Sequence, residues 1–311
     1  MAAGALPTIA RSMPDQIPAP RHWGAVLTAM VTPFDARGDL DLESARKLAR
    51  WLQEHGSEGL VVAATTGEAT VLCDSERLDL IRAVCAAVTI PVVAGTGSND
   101  TQHSVVLTRR AKELGAAGVI AVSPYYSRPP QAGIEAHFRA IAEATPLPVM
   151  LYDVPLRTGR RIAREVLLRL LREVPNIVAL KDATADPAAS AALLADADFD
   201  LYSGDDACTL PLLAVGAVGV VGTTTHWTAA LFASMISAMR RGELAQARAI
   251  NARLQPSFAY VNSDDCVFPM AIKALLPLLG LDAGVCRLPL PAAPGGTQER
   301  ALAVCRELGI A

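Results

Sequence analysis

The sequence predicts one (β/α)8 barrel with a C-terminal helical appendage. Three observations lead there. Eight short apolar runs recur from Ala25 onward, amphipathic segments separate consecutive runs, and 311 residues suit a single domain of that kind. The runs occupy residues 26–31, 60–63, 91–94, 119–122, 149–152, 177–180, 201–203 and 218–221. Each is short and β-rich, and loops marked by Gly, Pro or Ser follow. Helix-like stretches at 42–55, 75–87, 101–114 and 131–144 lie between the first five runs, several opened by a capping or acidic residue. Helices between consecutive strands imply parallel pairing. The competing architecture, a doubly wound open sheet, lacks its dinucleotide fingerprint, because Gly95-Thr96-Gly97-Ser98-Asn99-Asp100 has no third glycine.

The domain expectation is a disordered tail over 1–21, a barrel over 22–225, and a helical region over 226–311 interrupted by a Pro/Gly-rich break at 289–296. The tail is rich in Ala, Pro and Ser, without the charged start and apolar stretch of a secretory signal.

Composition narrows the function classes. With 51% apolar and 19% charged residues the chain can bury a large core, yet no apolar run is long enough to span a bilayer. A soluble, cytoplasmic protein is expected. The formal charge of −3 comes without a basic stripe, which argues against nucleic acid or an anionic membrane as partner. Six scattered cysteines contain no CxxC pair, and five histidines show neither HxxH nor HExxH spacing. No metal and no cofactor is expected; a small-molecule ligand is.

In such a barrel the reactive groups sit where strands end and the next loops begin. Those junctions carry Thr65-Thr66-Gly67-Glu68, Tyr125-Tyr126, Tyr152 with Arg157, Lys181-Asp182, and Gly204-Asp205-Asp206. Lys181 is the sharpest signal. The chain has only four lysines, at 47, 112, 181 and 273, and this one closes the apolar run 177–180. Burial there would lower the amine pKa, as a nucleophile for a ketone requires. A lysine snorkelling from a strand end, or pairing with Asp182, fits the position equally well. Lys47 and Lys112 read as solvated helix residues, and Lys273 sits among apolar neighbours.

The other junction residues are weaker singly. Thr65-Thr66-Gly67 offers hydroxyls and N–H groups to a carboxylate, but Thr-Gly pairs are also ordinary turn formers. Tyr152 is a proton relay or a packed strand-end tyrosine. Arg157 is a carboxylate fork or a solvated loop arginine. Asp205-Asp206 reads as a helix N-cap before Cys208 rather than as a metal pair.

Together these stretches resemble the dihydrodipicolinate synthase and N-acetylneuraminate lyase family of pyruvate-dependent class I aldolases. The likeness runs from about Gly24 to Gly280, through 27–34, 65–68, 124–129, 152–155, 157–159, 181–183 and 203–207. Arg157-Thr158-Gly159 and the double tyrosine point to the branch that condenses pyruvate with aspartate 4-semialdehyde on the route to diaminopimelate and lysine. The resemblance implies that Lys181 forms the imine and Tyr152 shuttles protons. It implies a hydroxyl relay completed by Thr65 and by Tyr126 from across a subunit boundary, in a homotetramer. Thr66, Arg157, Gly204 and Val221 are implied in substrate binding, with Thr66 on the pyruvate carboxylate and Arg157 on that of the aldehyde. Departures at Ala64, Ala69, 222–227 and 263–269 lie on loops that set specificity, so the alternative is a paralogue acting on another aldehyde or sugar acid. A keto-acid-binding barrel without catalysis is a further alternative. A phosphate-binding barrel is weakened by the lack of any basic residue between Gly204 and His226. Arg77 and His103, at positions matching an inhibitory lysine site in the family, imply weak feedback by lysine.

Overall fold

A computed structural model of the chain describes Pro18, residues 20–263 and residues 265–310. Most of the expected tail lies outside the described residues. Eight parallel strands close on themselves in sequence order: β1 Val26–Ala29, β2 Gly59–Val62, β3 Val92–Gly95, β4 Gly118–Val122, β5 Val149–Asp153, β6 Ile177–Asp182, β7 Asp200–Ser203 and β8 Gly219–Gly222. Closure is made by β1 against β8, with Leu27 opposite Val221.

Helices α1 Leu42–Glu54, α2 Asp74–Cys85, α3 Thr101–Ala111 and α4 Gln131–Glu143 follow the first four strands. A short turn of helix, α5 Pro155–Thr158, precedes α6 Arg164–Glu173. Then come α7 Pro187–Asp196, α8 Thr209–Ala214 and α9 Thr225–Arg240, and the C-terminal region adds α10 Leu244–Val261, α11 Phe268–Leu275 and α12 Thr297–Leu308. The (β/α)8 expectation holds, including the helical appendage. Local chemistry supports several starts: Asp41 accepts from the Glu43 and Ser44 amides ahead of α1, and Asp100 from the His103 amide ahead of α3.

Strand alternation sorts side chains into two cores. Leu27, Ala29, Val61, Val93, Ile120, Met150, Tyr152, Ala179, Tyr202 and Val221 pack inside the barrel. Leu60, Val62, Leu151, Leu180 and Leu201 face outward into a larger layer beneath the helices. Trp23 closes the N-terminal mouth, its indole N–H donating to the Ala117 carbonyl at 3.2 Å, and the Tyr202 hydroxyl donates to the Gly24 carbonyl. Arg21 is also fixed, by ion pairs to Asp198 and Asp200.

Two strand ends differ from the sequence expectation. β1 stops at Ala29, although Met30 still donates its amide to the Val61 carbonyl. β6 continues through Lys181 and Asp182, because Tyr152 and Asp153 of β5 pair with them in register. Lys181 is therefore a strand residue pointing with Ala179 into the barrel rather than the first residue of a loop.

The same register sets Asp153 and Asp182 side by side on the outer face. Asp182 accepts from the Ser190 hydroxyl and the Thr184 amide, and Asp153 from the Ile162 amide at 3.3 Å. Burial, reinforced by the Asp182 charge, raises the Asp153 carboxyl to about 7. An unfolded chain releases that proton near pH 4, so stability should fall as pH rises from about 4 to 7 and level off above. Asp153→Asn keeps an acceptor for Ile162 and removes this slope. We expect its urea midpoint at pH 8 to exceed wild type, by at most about 4 kcal/mol in free energy, with little difference at pH 4.

Candidate functional site

The inward-facing residues at the C-terminal ends of β4, β5 and β6 form one row, Val122 opposite Tyr152 and Tyr152 opposite Lys181. Lys181 is 4% exposed, with Nζ 4.4 Å from the centroid of the Tyr152 ring. Burial lowers its pKa to about 8; the nearby Asp206 charge opposes the shift and the Arg157 charge adds to it. Lys181 makes no side-chain ion pair with Asp182, which faces outward, so of the two positional readings the geometry favours a desolvated amine over an Asp182 partner. Gly204 lies against this side chain: a Cβ there would come 2.9 Å from Lys181 Cγ. Val221, fully buried, faces the same interior from β8.

Tyr152 is also enclosed. Burial pushes its phenol up to about 12, against the opposing influence of the Arg157 charge. Thr65, Tyr125, Tyr126, Tyr152 and Arg157 line one cavity of about 370 Å³. Among the described residues no carboxylate lines it, whereas two guanidinium groups, Arg157 and Arg77, do. Thr66 is buried beside it in the turn after β2. Tyr126, at φ +70°, is 92% exposed at the rim, while Tyr125 is half-buried.

The sequence reading missed how the Thr65–Glu68 turn is held. Glu68 adopts a left-handed conformation, φ +53°, and is buried. Its Oε1 lies 2.8 Å from Lys273 Nζ, both side chains 2% exposed, and its Oε2 accepts the Arg287 amide at 2.9 Å. Lys273 also donates to the Val285 carbonyl and sits 4.3 Å over the Phe34 ring. Arg287 covers the same ring at 4.2 Å, donates to the Gly38 and Val71 carbonyls, and pairs with Glu76 of α2. The ambiguous Lys273 of the sequence is thus an ion-paired structural residue. The one signal in the sequence was the placement of Lys273 among apolar neighbours, where a charge needs a partner.

The Asp205-Asp206 reading needs correction. The N-cap of α8 is Cys208, without a side-chain cap. Asp205 accepts from the Ala207 amide in its own turn, and Asp206 reaches to the loop after β8, accepting from the Thr223 and Thr224 amides at 3.1 and 2.6 Å and from the Thr223 hydroxyl. His226 extends this tie, donating from Nδ1 to the Thr223 carbonyl and accepting the Val31 amide on Nε2; burial lowers its pKa to about 4. The unusual 222–227 stretch is therefore filled by contacts within the barrel rim. Lys112 is exposed; Lys47 is exposed too, though it donates to the Gly280 carbonyl. Among the described residues no three His, Cys, Asp or Glu side chains gather as metal ligands, and no helix is long and apolar enough to cross a membrane.

Fold and site together define a (β/α)8 barrel with a desolvated lysine amine inside the C-terminal mouth. The chain matches the dihydrodipicolinate synthetase family over residues 22–304 and belongs to it. It is 51% identical over 273 residues to a 4-hydroxy-tetrahydrodipicolinate synthase of Acidothermus cellulolyticus, covering 87% of this chain and 88% of that one. A relative of the same name from Moorella thermoacetica is 45% identical over 295 residues, 93% of this chain and 99% of the other. Among solved structures, the lysine-bound enzyme of Cyanidioschyzon merolae superposes with a TM-score of 0.90 at 40% identity, covering 94% of this chain and all of that one. A dihydrodipicolinate synthase of Bacillus anthracis gives 0.87 at 40% identity, over 91% and 98% of the two chains.

The Glu68–Lys273 pair is the energetic hinge of the site loop. Removing one partner leaves a buried charge alone, so Lys273→Met should cost about 3–5 kcal/mol. Glu68→Gln combined with Lys273→Met should recover most of that loss in urea denaturation; a double variant as unstable as the single one would refute the pairing.

Proposed function

We propose that the protein condenses pyruvate with aspartate 4-semialdehyde to 4-hydroxy-tetrahydrodipicolinate, supplying diaminopimelate and lysine synthesis in the cytoplasm. The observation that carries this reading is the inward Lys181 amine, lowered to about 8 beside Tyr152. The family membership and the names of the relatives support the choice of substrates.

In the proposed sequence the free Lys181 amine adds to the pyruvate ketone and water leaves, giving an imine. The cationic imine withdraws electrons from the adjacent methyl group, which loses a proton to give an enamine. The enamine carbon attacks the aldehyde, and the amino group of the second substrate then displaces Lys181 as the ring closes. No metal or organic cofactor takes part. Tyr152, with its phenol kept protonated by burial, donates and recovers protons over the imine carbon, in relay with Thr65 and with Tyr126 from a second subunit. The exposure of Tyr126 at the cavity rim supports that exchange across a dimer, within a homotetramer. Thr66 and neighbouring amides hold the pyruvate carboxylate, Gly204 leaves room beside Lys181, Val221 forms the apolar floor, and Arg157 receives the aldehyde's carboxylate. The carboxylate-free lining of the cavity supports anionic substrates. The related reading, a pyruvate aldolase for another aldehyde, is separated by offering pyruvate with a panel of aldehydes.

Borohydride added with pyruvate should leave a reduced adduct on the Lys181 peptide. Because the amine is free only as pH rises through about 8, the initial trapping rate should climb roughly tenfold per unit below that value and level above it. A label on Lys273 would overturn the assignment, since that lysine is held by Glu68.

Feedback by lysine is expected to be weak. Arg77 is buried with Nε and one terminal nitrogen lacking acceptors among the described residues, and it lines the cavity beside Tyr125. Asp74 is engaged by His103 at 2.7 Å. A ligand ammonium would meet like charge there. Initial rates at saturating and subsaturating pyruvate should change little with lysine; strong inhibition at submillimolar lysine would refute this.

A further inference from the structure

Arg157 stands at the border of two cavities. One is the 370 Å³ space containing Tyr152; the other, of about 220 Å³, shares Thr65, Thr70 and Arg157 as walls and is completed by Glu68, Phe268, Pro269, Arg287 and Leu290. The Arg157 backbone is fixed on α5, where its amide donates to the Val154 carbonyl and Gly159 ends the turn at φ +73°. Its side chain, however, makes no hydrogen bond or ion pair among the described residues. What it does contact is aromatic: the guanidinium carbon lies 4.7 Å from the centroid of the Phe268 ring. That is well inside the range in which a cation is attracted to a ring face.

We propose that Phe268 is a positioning and specificity-determining residue for the second substrate. Its ring holds the Arg157 guanidinium by cation–π attraction and takes up none of the N–H groups, which stay free for a carboxylate. It also supplies an apolar wall on the side of the smaller cavity. Phe268 is itself set rigidly. It opens α11, Pro269 restricts the first turn, and Lys273 of the same helix is locked to Glu68 of the Thr65 turn. One helix of the C-terminal region thereby references both polar arms of the site: the turn for the pyruvate carboxylate and the arginine for that of the aldehyde. The substrate class selected is a short aldehyde whose carboxylate lies within reach of a guanidinium held by this ring.

This inference rests on the reading that Arg157 receives the aldehyde's carboxylate, and the experiment separates the two. Steady-state kinetics with pyruvate and aspartate 4-semialdehyde would be measured for Phe268→Leu, which keeps apolar bulk without a ring face, and Phe268→Tyr, which keeps the face. Arg157→Ala and the Arg157→Ala/Phe268→Leu double variant complete the set. The expected result is a rise of roughly three- to tenfold in KM for the aldehyde with Phe268→Leu. KM for pyruvate and borohydride trapping on Lys181 should be unchanged, Phe268→Tyr should be near wild type, and Phe268→Leu should have no further effect once Arg157 is gone. An unchanged aldehyde KM in Phe268→Leu, or an equal effect in the Arg157→Ala background, would overturn the role of Phe268 while leaving the Arg157 reading intact. An unchanged aldehyde KM in Arg157→Ala would overturn the Arg157 reading and the inference with it.

Discussion

Taking one ammonium group out of water is the constraint around which this molecule is arranged. Lys181 lies inside a closed ring of strands where a protonated amine is poorly solvated, and among the described residues no carboxylate pairs with it to restore the charge. Asp206, the nearest acidic influence, is occupied with amides of the loop after β8. Asp182, adjacent in sequence, is turned away by strand alternation. A carboxylate in direct contact would oppose the lowering of the Lys181 pKa and hold the amine in an ion pair, as Glu68 holds Lys273. Register and pleat, more than any loop, therefore decide which charges surround this lysine.

The two buried lysines make the contrast plain. Both are almost wholly enclosed and both lie over an aromatic ring, Lys181 over Tyr152 and Lys273 over Phe34. Lys273 is met by Glu68 and a backbone carbonyl, and it serves as a strut. Lys181 has neither among the described residues and points into the barrel interior beside Tyr152. Similar burial thus goes with different surroundings, a built-in carboxylate for Lys273 and none in contact with Lys181 among the described residues.

How much of this was legible in the sequence depended on the range of the interaction. The barrel could be read because strand and helix periodicity is local and repeats eight times. Lys181 and Tyr152 could be read because both close apolar runs, and alternation then places them in one row. Asp206 was misread because the sequence offered its own following helix as the nearest orphan amides, whereas the fold brings a later loop closer. The Glu68–Lys273 pair and the approach of the Arg157 guanidinium to the Phe268 ring join residues distant in the chain, and no local pattern specifies them. Asp153 and Asp182 belong to the same class: each looks like an ordinary strand-end carboxylate until the register sets them side by side.

The order in which the chain is made gives the Glu68 contact a further meaning. A ribosome releases residues from the N-terminus onward, and domains begin to fold as they emerge. All eight strands precede α11, so a nascent chain can close its barrel while Lys273 and Arg287 are still unsynthesised. Until then Glu68 has no cationic partner, and the turn carrying Thr65 and Thr66 lacks its anchor. The catalytic mouth is thus completed by nearly the last segment to appear. A polypeptide interrupted after β8 could possess its barrel and its buried Lys181 and still lack the anchor of the Thr65–Glu68 turn.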